Sequence, residues 1–352
     1  MRPRFAHLLC SLLLTACTGP VSALRLLPAG SPSIALCEAA CDSTVSLTYL
    51  GVSGFLIRAQ GAAVLTAPSI THPRLFRVVL GLHIEPDTAA IDQAFARIDS
   101  SNIGALLVGH SHYDHLLDVP YLARHLLPHV TIVGTPTTKH VLAGDPALRG
   151  SRVVALSPDS VATAYRVGSW YYVADGNGAP KFRIMPVAST HAPNFAGMTI
   201  AWWGATRDRQ SLPGNAWQWP LGEVYAYVID VVRRDSSPAF RIFYQDAASD
   251  PAHSLLPPFL GRDVRRVDVA IVCAGNFAQA YQYPDVLLGA MHPRFALLSH
   301  WEDFFRSQDE ELAAVRFTDT HRLGRSLERA MQSSWGSLRP FDVASFRYAY
   351  GH

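Results

Sequence analysis

Charged residues are scarce in this chain, at 16% of its 352 residues, whereas apolar residues make up 49%. This composition excludes an intrinsically disordered chain, which has few apolar residues and a high net charge. The formal net charge is only +2 and the arginines form no basic stripe, so nucleic acid is not an expected partner. Long apolar runs are also missing beyond the N-terminus, where none reaches the roughly 18 residues that a transmembrane helix needs.

The first residues have the pattern of a secretion signal. Arg2 and Arg4 supply a short positive region, and residues 8–14 form an apolar run too short to span a bilayer. The run ends in LTAC at residues 14–17, which resembles the lipobox of bacterial lipoproteins. The resemblance implies a signal peptide at residues 1–16, lipidation of Cys17, and a lipid-anchored location in the bacterial cell envelope, at the outer membrane or in the periplasm. Cleavage at a small-residue site after Ala23 is the alternative, and it would give a secreted protein.

Only five cysteines are present, and their expected roles differ. Cys10 lies within the signal, and Cys273 lies in an apolar run typical of a buried strand. Cys37 and Cys41 are close in sequence and are destined for an oxidising compartment, which favours a local disulfide over two free thiols. No second cysteine pair exists to form a zinc knuckle with them.

The rest of the chain is long enough for one large α/β domain. Residues 17–43 are rich in proline, glycine and serine and show no periodicity, so we expect a tether there, followed by a single domain over residues 44–352. Asp87 is predicted to cap a helix through Ile91 and Phe95, and further helices are predicted from about Glu310 and over 323–331. Apolar runs predict strands at 103–108, 182–187, 224–231, 240–244, 267–273 and 295–299. This alternation of strands and helices indicates a layered α/β fold.

The most informative segment directly follows the strand at 103–108 and reads VGHSHYDH, residues 108–115. An extended chain would point His110 and His112 to the same side, and Asp114 and His115 enter the turn before a helix. Nitrogen and oxygen donors clustered at the end of a rigid strand suit Zn²⁺ or a similar metal. Asp118 is interpreted as a carboxylate at the N-terminus of that helix, the alternative being a group that supports the metal ligands.

The pattern His-x-His-x-Asp-His resembles the signature of the metallo-β-lactamase superfamily, whose fold is a four-layer αβ/βα sandwich with metals at one end of its two sheets. Later residues occur in a similar order: His191 follows the strand at 182–187, Asp246 ends the strand at 240–244, and His300 follows the strand at 295–299. The segment HWEDF at 300–304 looks like the branch that includes N-acylphosphatidylethanolamine phospholipase D and the ascorbate-6-phosphate lactonase group.

The resemblance implies two metal ions per chain, taken as Zn²⁺, with Mn²⁺ or Fe²⁺ as alternatives. It implies that a bridging hydroxide attacks phosphorus or a carbonyl carbon. Asp114 would be catalytic, orienting the nucleophile or accepting its proton. The implied ligands are His110, His112 and His191 for one ion, Asp114, His115 and His300 for the other, and Asp246 as the bridge.

Three positions depart from the family pattern. Val52 stands where the related branch often has a histidine, Ala67 stands where an aspartate commonly precedes proline, and Gln245 precedes Asp246 where glycine is usual. None of the three removes an implied ligand.

The connection at residues 193–222 begins just after His191 and contains Trp202, Trp203, Trp217 and Trp219. Connections of this length are uncommon unless they are functional or disordered. One interpretation is a lid or apolar wall that binds a lipid or aromatic substrate. The other is that these indoles simply pack the connection onto the domain.

Together these patterns predict a metal-dependent hydrolase that acts on a phosphodiester, with a lipid-derived substrate favoured by the expected anchor. Hydrolysis of a lactone, a β-lactam or another carbonyl ester is the alternative within the same chemistry. A non-catalytic, metal-binding envelope lipoprotein is the alternative outside it. The expected partners are a small-molecule or lipid substrate and, through the N-terminal lipid, a membrane; the sequence gives no indication of the oligomeric state.

Overall fold

The structure, a computed structural model, describes residues 19–30, 32–37, 41–150, 152–194 and 197–350. Cys17 and the predicted signal peptide therefore lie outside the described residues. The strands are β1 (Ser33–Ala35), β2 (Ser43–Gly51), β3 (Gly54–Ala59), β4 (Ala62–Thr66), β5 (Ile103–Leu107), β6 (Thr131–Gly134), β7 (Val153–Ala155), β8 (Tyr171–Ala174), β9 (Pro180–Ala188), β10 (Tyr225–Val232), β11 (Pro238–Tyr244), β12 (Val269–Cys273), β13 (Phe295–Ser299), β14 (Trp335–Ser337) and β15 (Val343–Tyr348).

The helices are short, and within the described residues none is long and apolar enough to cross a bilayer. A π-helical turn, Leu122–Leu126, extends the fourth of them. Asp87 caps the second helix as predicted, since its side chain accepts a hydrogen bond from the backbone N–H of Ala90. The helices are α1 (Leu75–Val79), α2 (Thr88–Ala96), α3 (Tyr113–Leu116), α4 (Val119–Tyr121), α5 (Pro136–Leu142), α6 (Asp285–Met291) and α7 (Thr320–Met331).

The strands form two mixed sheets. The first has the order β1-β15-β2-β3-β4-β5-β6-β7, and the second has the order β14-β13-β12-β11-β10-β9-β8. In the second sheet β10 runs antiparallel to both β9 and β11, whereas β11 to β14 are parallel. Parallel neighbours need a crossover, and α6 and α7 supply it between β12 and β13 and between β13 and β14.

A continuous apolar core lies between the two sheets, and a second apolar cluster covers the outer face of the first sheet. Strand β5 contributes to both, because successive side chains of a strand point to opposite faces. Ala105 and Leu107 face the other sheet, whereas Leu106 packs against helices α2 to α5. The uniformly apolar strand predicted at 103–108 is thus buried on both faces, and the architecture is the predicted four-layer αβ/βα sandwich.

The helix predicted from about Glu310 is wrong. The chain from 313 to 315 instead runs antiparallel to residues 301–303, with a bridge between Glu302 and Ala314 and a backbone hydrogen bond from Val315 to Trp301. Arg316 pairs with the buried Asp303 at 2.9 Å, which holds this arrangement in place. These tertiary contacts override the helical periodicity of the segment.

The tether predicted at 17–43 does not fit the part of that segment which the structure describes. Leu24 is buried in the core, and β1 pairs in parallel with β15. Because these contacts are apolar and hydrogen-bonded, the segment belongs to the domain despite its proline and glycine content. Cys37 and Cys41 form the predicted local disulfide, and Cys273 is a buried free thiol on β12.

Candidate metal centre

The histidine-rich motif lies where β5 ends. Gly109 is required there, because a Cβ atom at this position would lie 2.2 Å from Oδ2 of Asp246. His110 follows, His112 occupies the N-cap position of α3, and Asp114 and His115 lie within that helix. The change from strand to helix turns the four side chains toward one point.

His191 follows β9 and joins His110 and His112, so that the candidate ligand atoms of the three lie within 4.8 Å of one another. His191 Nδ1 contacts the carbonyl oxygen of Ala192 at 2.5 Å, and His112 Nε2 contacts that of Ile200 at 2.9 Å. A carbonyl only accepts hydrogen bonds, so each of these ring nitrogens carries the proton. The opposite nitrogen of each neutral ring keeps its lone pair for a metal.

Asp246 lies between the two parts of the motif, one residue beyond Gln245 at the end of β11. Its Oδ1 is 3.2 Å from Nδ1 of His110, and its Oδ2 is 3.8 Å from Nδ1 of His115. One carboxylate therefore presents one oxygen to each of two histidines.

His300 follows β13 and completes the other side of the cluster. Its Nε2 lies 3.2 Å from Oδ2 of Asp114, and Nε2 of His115 lies 3.5 Å from the same oxygen. His300 adopts a left-handed conformation, with φ of 54°. Its backbone N–H donates to the carbonyl oxygen of Val52, which fixes the direction of the side chain.

Burial keeps these histidines neutral, which is the form that binds a metal. It lowers the pKa of His110 and of His112 far below the usual value, and neighbouring histidines lower each further. Burial, with the charge of His110, lowers the pKa of His115 to about 3. The pKa of His191 is lowered by the same burial.

The two carboxylates respond to their surroundings in opposite ways. Burial raises the pKa of Asp114, but the electrostatic interaction with His115 and the hydrogen bond with His300 outweigh it and hold that pKa well below the usual value. Burial raises the pKa of Asp246, and the electrostatic interactions with His115 and His191 do not cancel the effect. Asp114 is thus the carboxylate that stays ionised most readily.

Several ring nitrogens in the cluster have no hydrogen-bond partner although they are fully buried: Nε2 of His110, Nδ1 of His115 and Nδ1 of His300. Buried polar atoms are normally paired, because leaving one unpaired costs free energy. A cation coordinated by the cluster would satisfy those of these nitrogens that face it, and the mixed nitrogen and carboxylate donors suit a metal such as zinc. The residues present therefore fit a metal, and all seven implied ligands meet in this cluster.

Two residues around the cluster, Glu302 and Gln245, have roles that the sequence did not predict. Glu302 is buried and binds the phenol of Tyr49 and the backbone N–H of Val52, the residue whose carbonyl holds His300. Its position directly after His300 and Trp301 was the only signal for it. Gln245, the departure from glycine, donates from Nε2 to Ser254 Oγ at 2.9 Å and contacts Ser189 Oγ at 3.3 Å, so it links the strand ends that carry Asp246 and His191.

Asp118 starts α4, yet its side chain makes no capping bond. Its Oδ2 accepts hydrogen bonds from the backbone N–H groups of Ile70 and Thr71, at 2.7 and 2.8 Å. Asp118 is thus at the N-terminus of α4, as interpreted, and its carboxylate also fixes the loop after β4, where Ala67 departs from the family pattern.

The tryptophans of the 193–222 connection separate into different environments. Trp219 is only 1% exposed and packs into the outer apolar cluster, so it has no surface for a substrate, contrary to prediction. Trp217 is partly exposed and donates from Nε1 to the carbonyl oxygen of Val78 at 2.8 Å. Trp202 and Trp203 are exposed and follow Ile200, whose carbonyl contacts His112. Of the four, these two are nearest in sequence to a contact with the cluster.

Comparisons with known proteins agree with this architecture. No protein-family model matches the sequence, and no curated protein matches it. Igni18, a metallo hydrolase from the hyperthermophilic archaeon Ignicoccus hospitalis, has a similar structure, with a TM-score of 0.50 and 14% sequence identity over 87% of this chain and 100% of that one. The metallo-β-lactamase fold protein YhfI from Bacillus subtilis matches with a TM-score of 0.47 and 13% identity, over 86% of this chain and 100% of that one. CmlA, a diiron β-hydroxylase from Streptomyces venezuelae, matches with a TM-score of 0.48 and 13% identity, over 88% of this chain and 55% of that one.

At such low identities a structural likeness establishes the fold and not the activity. The chain is a four-layer αβ/βα sandwich with a fold like that of Igni18, and a cluster of histidines and aspartates lies where β5, β9, β11 and β13 end. The predicted fold is confirmed.

Proposed function

We propose that this chain is a metal-dependent hydrolase that binds two cations and cleaves a phosphodiester. The observation that carries the proposal is the position of Asp246, whose two oxygens face His110 on one side and His115 on the other. A bridging carboxylate between two adjacent donor groups is what a dinuclear centre requires. We take the cations to be zinc, with manganese or iron as alternatives.

The donors divide into two sites that share this carboxylate. One site consists of His110, His112 and His191, and the other consists of Asp114, His115 and His300. Cations held there would lower the pKa of a water molecule and stabilise the negative charge that develops on the oxygen of the attacked group.

Asp114 has the clearest role among the protein groups. Its low pKa keeps it ionised at neutral pH, and its Oδ2 is fixed by contacts with His115 and His300. It can therefore orient the attacking water and accept its proton as the new P–O bond forms. The bond between phosphorus and the leaving oxygen breaks, that oxygen takes up the proton that Asp114 accepted from the water, and a phosphomonoester and an alcohol result.

Exposed apolar side chains close to the cluster in sequence support a lipid-derived substrate. Trp202 and Trp203 follow the contact between Ile200 and His112 and are largely exposed. Lipidation of Cys17 belongs to the same proposal, since it would place the enzyme on the envelope membrane, where such substrates occur. Labelling with an alkyne fatty acid tests this point, because label that persists in Cys17→Ser would contradict it.

The activity test combines metal analysis with a choice of substrates. The purified chain, loaded with zinc or manganese, is assayed with bis(p-nitrophenyl) phosphate, p-nitrophenyl acetate and a chromogenic β-lactam, beside Asp114→Asn. Asp159→Asn is the matched control, because it removes an exposed carboxylate outside the cluster. We expect two bound cations per chain and phosphodiester turnover that falls by about 10²- to 10⁴-fold in Asp114→Asn alone.

Each of the other outcomes of this test would contradict a particular part of the proposal. Turnover of the acetate or the β-lactam without the phosphodiester would replace our substrate class with a carbonyl ester. Two bound cations without turnover of any of the three would contradict the proposed reaction. A folded chain that binds no cation would contradict the enzyme itself and favour a non-catalytic envelope protein.

A further inference from the structure

Helix α1, Leu75–Val79, is apolar in sequence yet buries none of its residues. Phe76, Val79 and the following Leu80 are all exposed, Leu80 at 67%. Scattered exposed apolar residues are normal, but adjacent ones on a single helix are not, because their burial would stabilise the fold. This helix contributes little to the core, so its apolar side chains are free to contact a partner outside the chain.

The 193–222 connection places one exposed indole, that of Trp217, against this helix. Trp217 touches it directly, through the hydrogen bond to the carbonyl oxygen of Val78 and through contact with Gly81. Trp202, at 72% exposure, and Trp203 lie on the same connection. We use the name apical surface for Phe76, Val79, Leu80, Trp202, Trp203 and Trp217.

These side chains all belong to connections at the end of the sandwich that carries the metal centre. Helix α1 follows β4, which runs parallel to β5 and ends beside it, with Thr66 paired with Leu107. The connection that carries the tryptophans joins the end of β9 to the start of β10, where Tyr225 pairs with Ala188. The apical surface is therefore on the same side of the molecule as the cluster.

The beginning of the described chain lies at this end as well. Helix α7 returns the chain from the end of β13 to the start of the parallel β14, so its first residue, Thr320, is at the end that carries the cluster. Thr320 Oγ1 donates to the carbonyl oxygen of Pro20 at 3.1 Å, and Gly19 packs against the same side chain. The first described residue, Gly19, therefore lies at the apical end.

We infer that the apical surface docks on a phospholipid bilayer. Aromatic and aliphatic side chains flanked by arginine are typical of protein surfaces that lie in a membrane interface, and exposed Arg77 and Arg207 flank this one in sequence. Glu85, Asp87 and Asp208 are acidic side chains on the same two segments, and Arg74 and Arg209 are further basic ones, so the local charge is nearly balanced. The surface turns the end of the sandwich that carries the metal centre toward the lipid, and its binding depends on neither the cations nor the lipid on Cys17.

The test uses the chain from Gly19 onward, which contains every described strand and helix. It is sedimented with vesicles of phosphatidylethanolamine and phosphatidylglycerol, and quenching of its tryptophan fluorescence by brominated lipids is recorded. The test variant is Val79→Glu/Leu80→Glu. The matched control is Leu260→Glu/Val264→Glu, which changes two equally exposed apolar residues in the segment that leads to the start of β12, at the opposite end.

We expect the unaltered chain to sediment with vesicles and to be quenched by brominated lipid. The apical variant should bind at least about tenfold more weakly, because two apolar side chains no longer enter the interface, while the control keeps its affinity. Equal losses in both variants, or no binding by the unaltered chain, would overturn the inference. A dimer in analytical ultracentrifugation that only the apical variant abolishes would instead assign the surface to a second copy of the chain.

The inference and the proposed function fail separately. His110→Ala/Asp114→Asn removes two cluster side chains and should leave vesicle binding unchanged. If that variant loses vesicle binding while remaining folded, the surface is not the determinant and the inference is wrong. A chain that binds vesicles but no cation would refute only the proposed function.

Discussion

Two buried clusters of ionisable side chains lie at opposite ends of the second sheet, and they differ in how their charges are balanced. At the end remote from the metal centre, Asp230 of β10 pairs across the sheet with Arg183 of β9 and Arg241 of β11, at 2.9 and 2.7 Å. Each guanidinium also lies over an aromatic ring, Arg183 over Trp170 and Arg241 over Phe259, both at 4.0 Å. Each ionised side chain of this cluster therefore has an oppositely charged partner within the protein.

In the candidate metal centre, at the other end of the sheet, the buried polar side chains are not all paired within the protein. Its histidines are held neutral by burial, and three of their nitrogens have no partner in the protein. The comparison shows that burial of polar groups alone does not mark a functional site. What distinguishes the metal centre is unsatisfied donor capacity that converges on a point where a cation fits.

The largest expected difference between the clusters concerns activity. Asp246→Asn should lower kcat/KM for the phosphodiester by about 10³-fold or more and reduce the bound metal, because the bridging charge is lost. Burial raises the pKa of this carboxyl, so removing its charge should not lower the free energy of unfolding of the metal-free chain. Steady-state kinetics, metal analysis and urea unfolding measure the three quantities. A strong loss of stability in metal-free Asp246→Asn would show that the charge of Asp246 stabilises the fold, as the charge of Asp230 does.

The complementary change is at the remote cluster. Asp230→Asn leaves the buried Arg241 without a carboxylate and Arg183 with only that of Asp263, and we expect the free energy of unfolding to fall by about 3–5 kcal/mol. Metal content at low temperature should stay unchanged. Urea unfolding beside Glu311→Gln, an exposed carboxylate used as the control, measures the effect. An unchanged midpoint would contradict the structural role of Asp230.

We expect a smaller effect on stability from a substitution of Gly109, which lies against the carboxylate of Asp246. Gly109→Ala would place a methyl group 2.2 Å from Oδ2 of Asp246, so the carboxylate must move. We expect a loss of about 1–3 kcal/mol in stability from overpacking, together with weaker metal binding. The control is Gly289→Ala in α6, where a Cβ atom meets nothing within 4 Å. Full metal affinity in Gly109→Ala would refute the close approach.

The smallest expected effect concerns the link between two strand ends. Gln245→Ala removes the hydrogen bonds to Ser254 and Ser189, and we expect cation affinity to fall by about tenfold because Asp246 and His191 become less well fixed. Competition with a chelating dye measures the affinity. The double variant with Ser254→Ala serves as the check, since the two effects should not add. Additive losses would show that Gln245 acts in another way.

Much of the metal centre was predictable because its residues follow apolar strands. The strands at 103–108, 182–187, 240–244 and 295–299 were visible as apolar runs, and the positions of His191, Asp246 and His300 after them follow from the fold. A metal-binding residue directly after an apolar strand can be recognised within a short segment, so the sequence alone is enough to predict it.

Other features depend on contacts between distant segments, which local patterns do not encode. Arg183 is 47 residues from Asp230 in sequence, and Asp230 and Arg241 are each the only charged residue of their strands. Glu310 begins a segment with helical periodicity, but pairing with residues 301–303 decides its conformation. Trp219 looked the same as Trp202 in sequence, and only the packing of the outer cluster separates them.

The incorporation of residues 21–36 into the domain limits how far a membrane-held form of this protein can search. A lipid on Cys17 would leave only two residues before the packed Gly19, a span of at most about 7 Å. An enzyme held so closely meets its substrates by lateral diffusion in two dimensions and does not sample the surrounding fluid. Its effective substrate concentration would therefore be a surface density, and its rate would depend on the composition of the leaflet that it occupies.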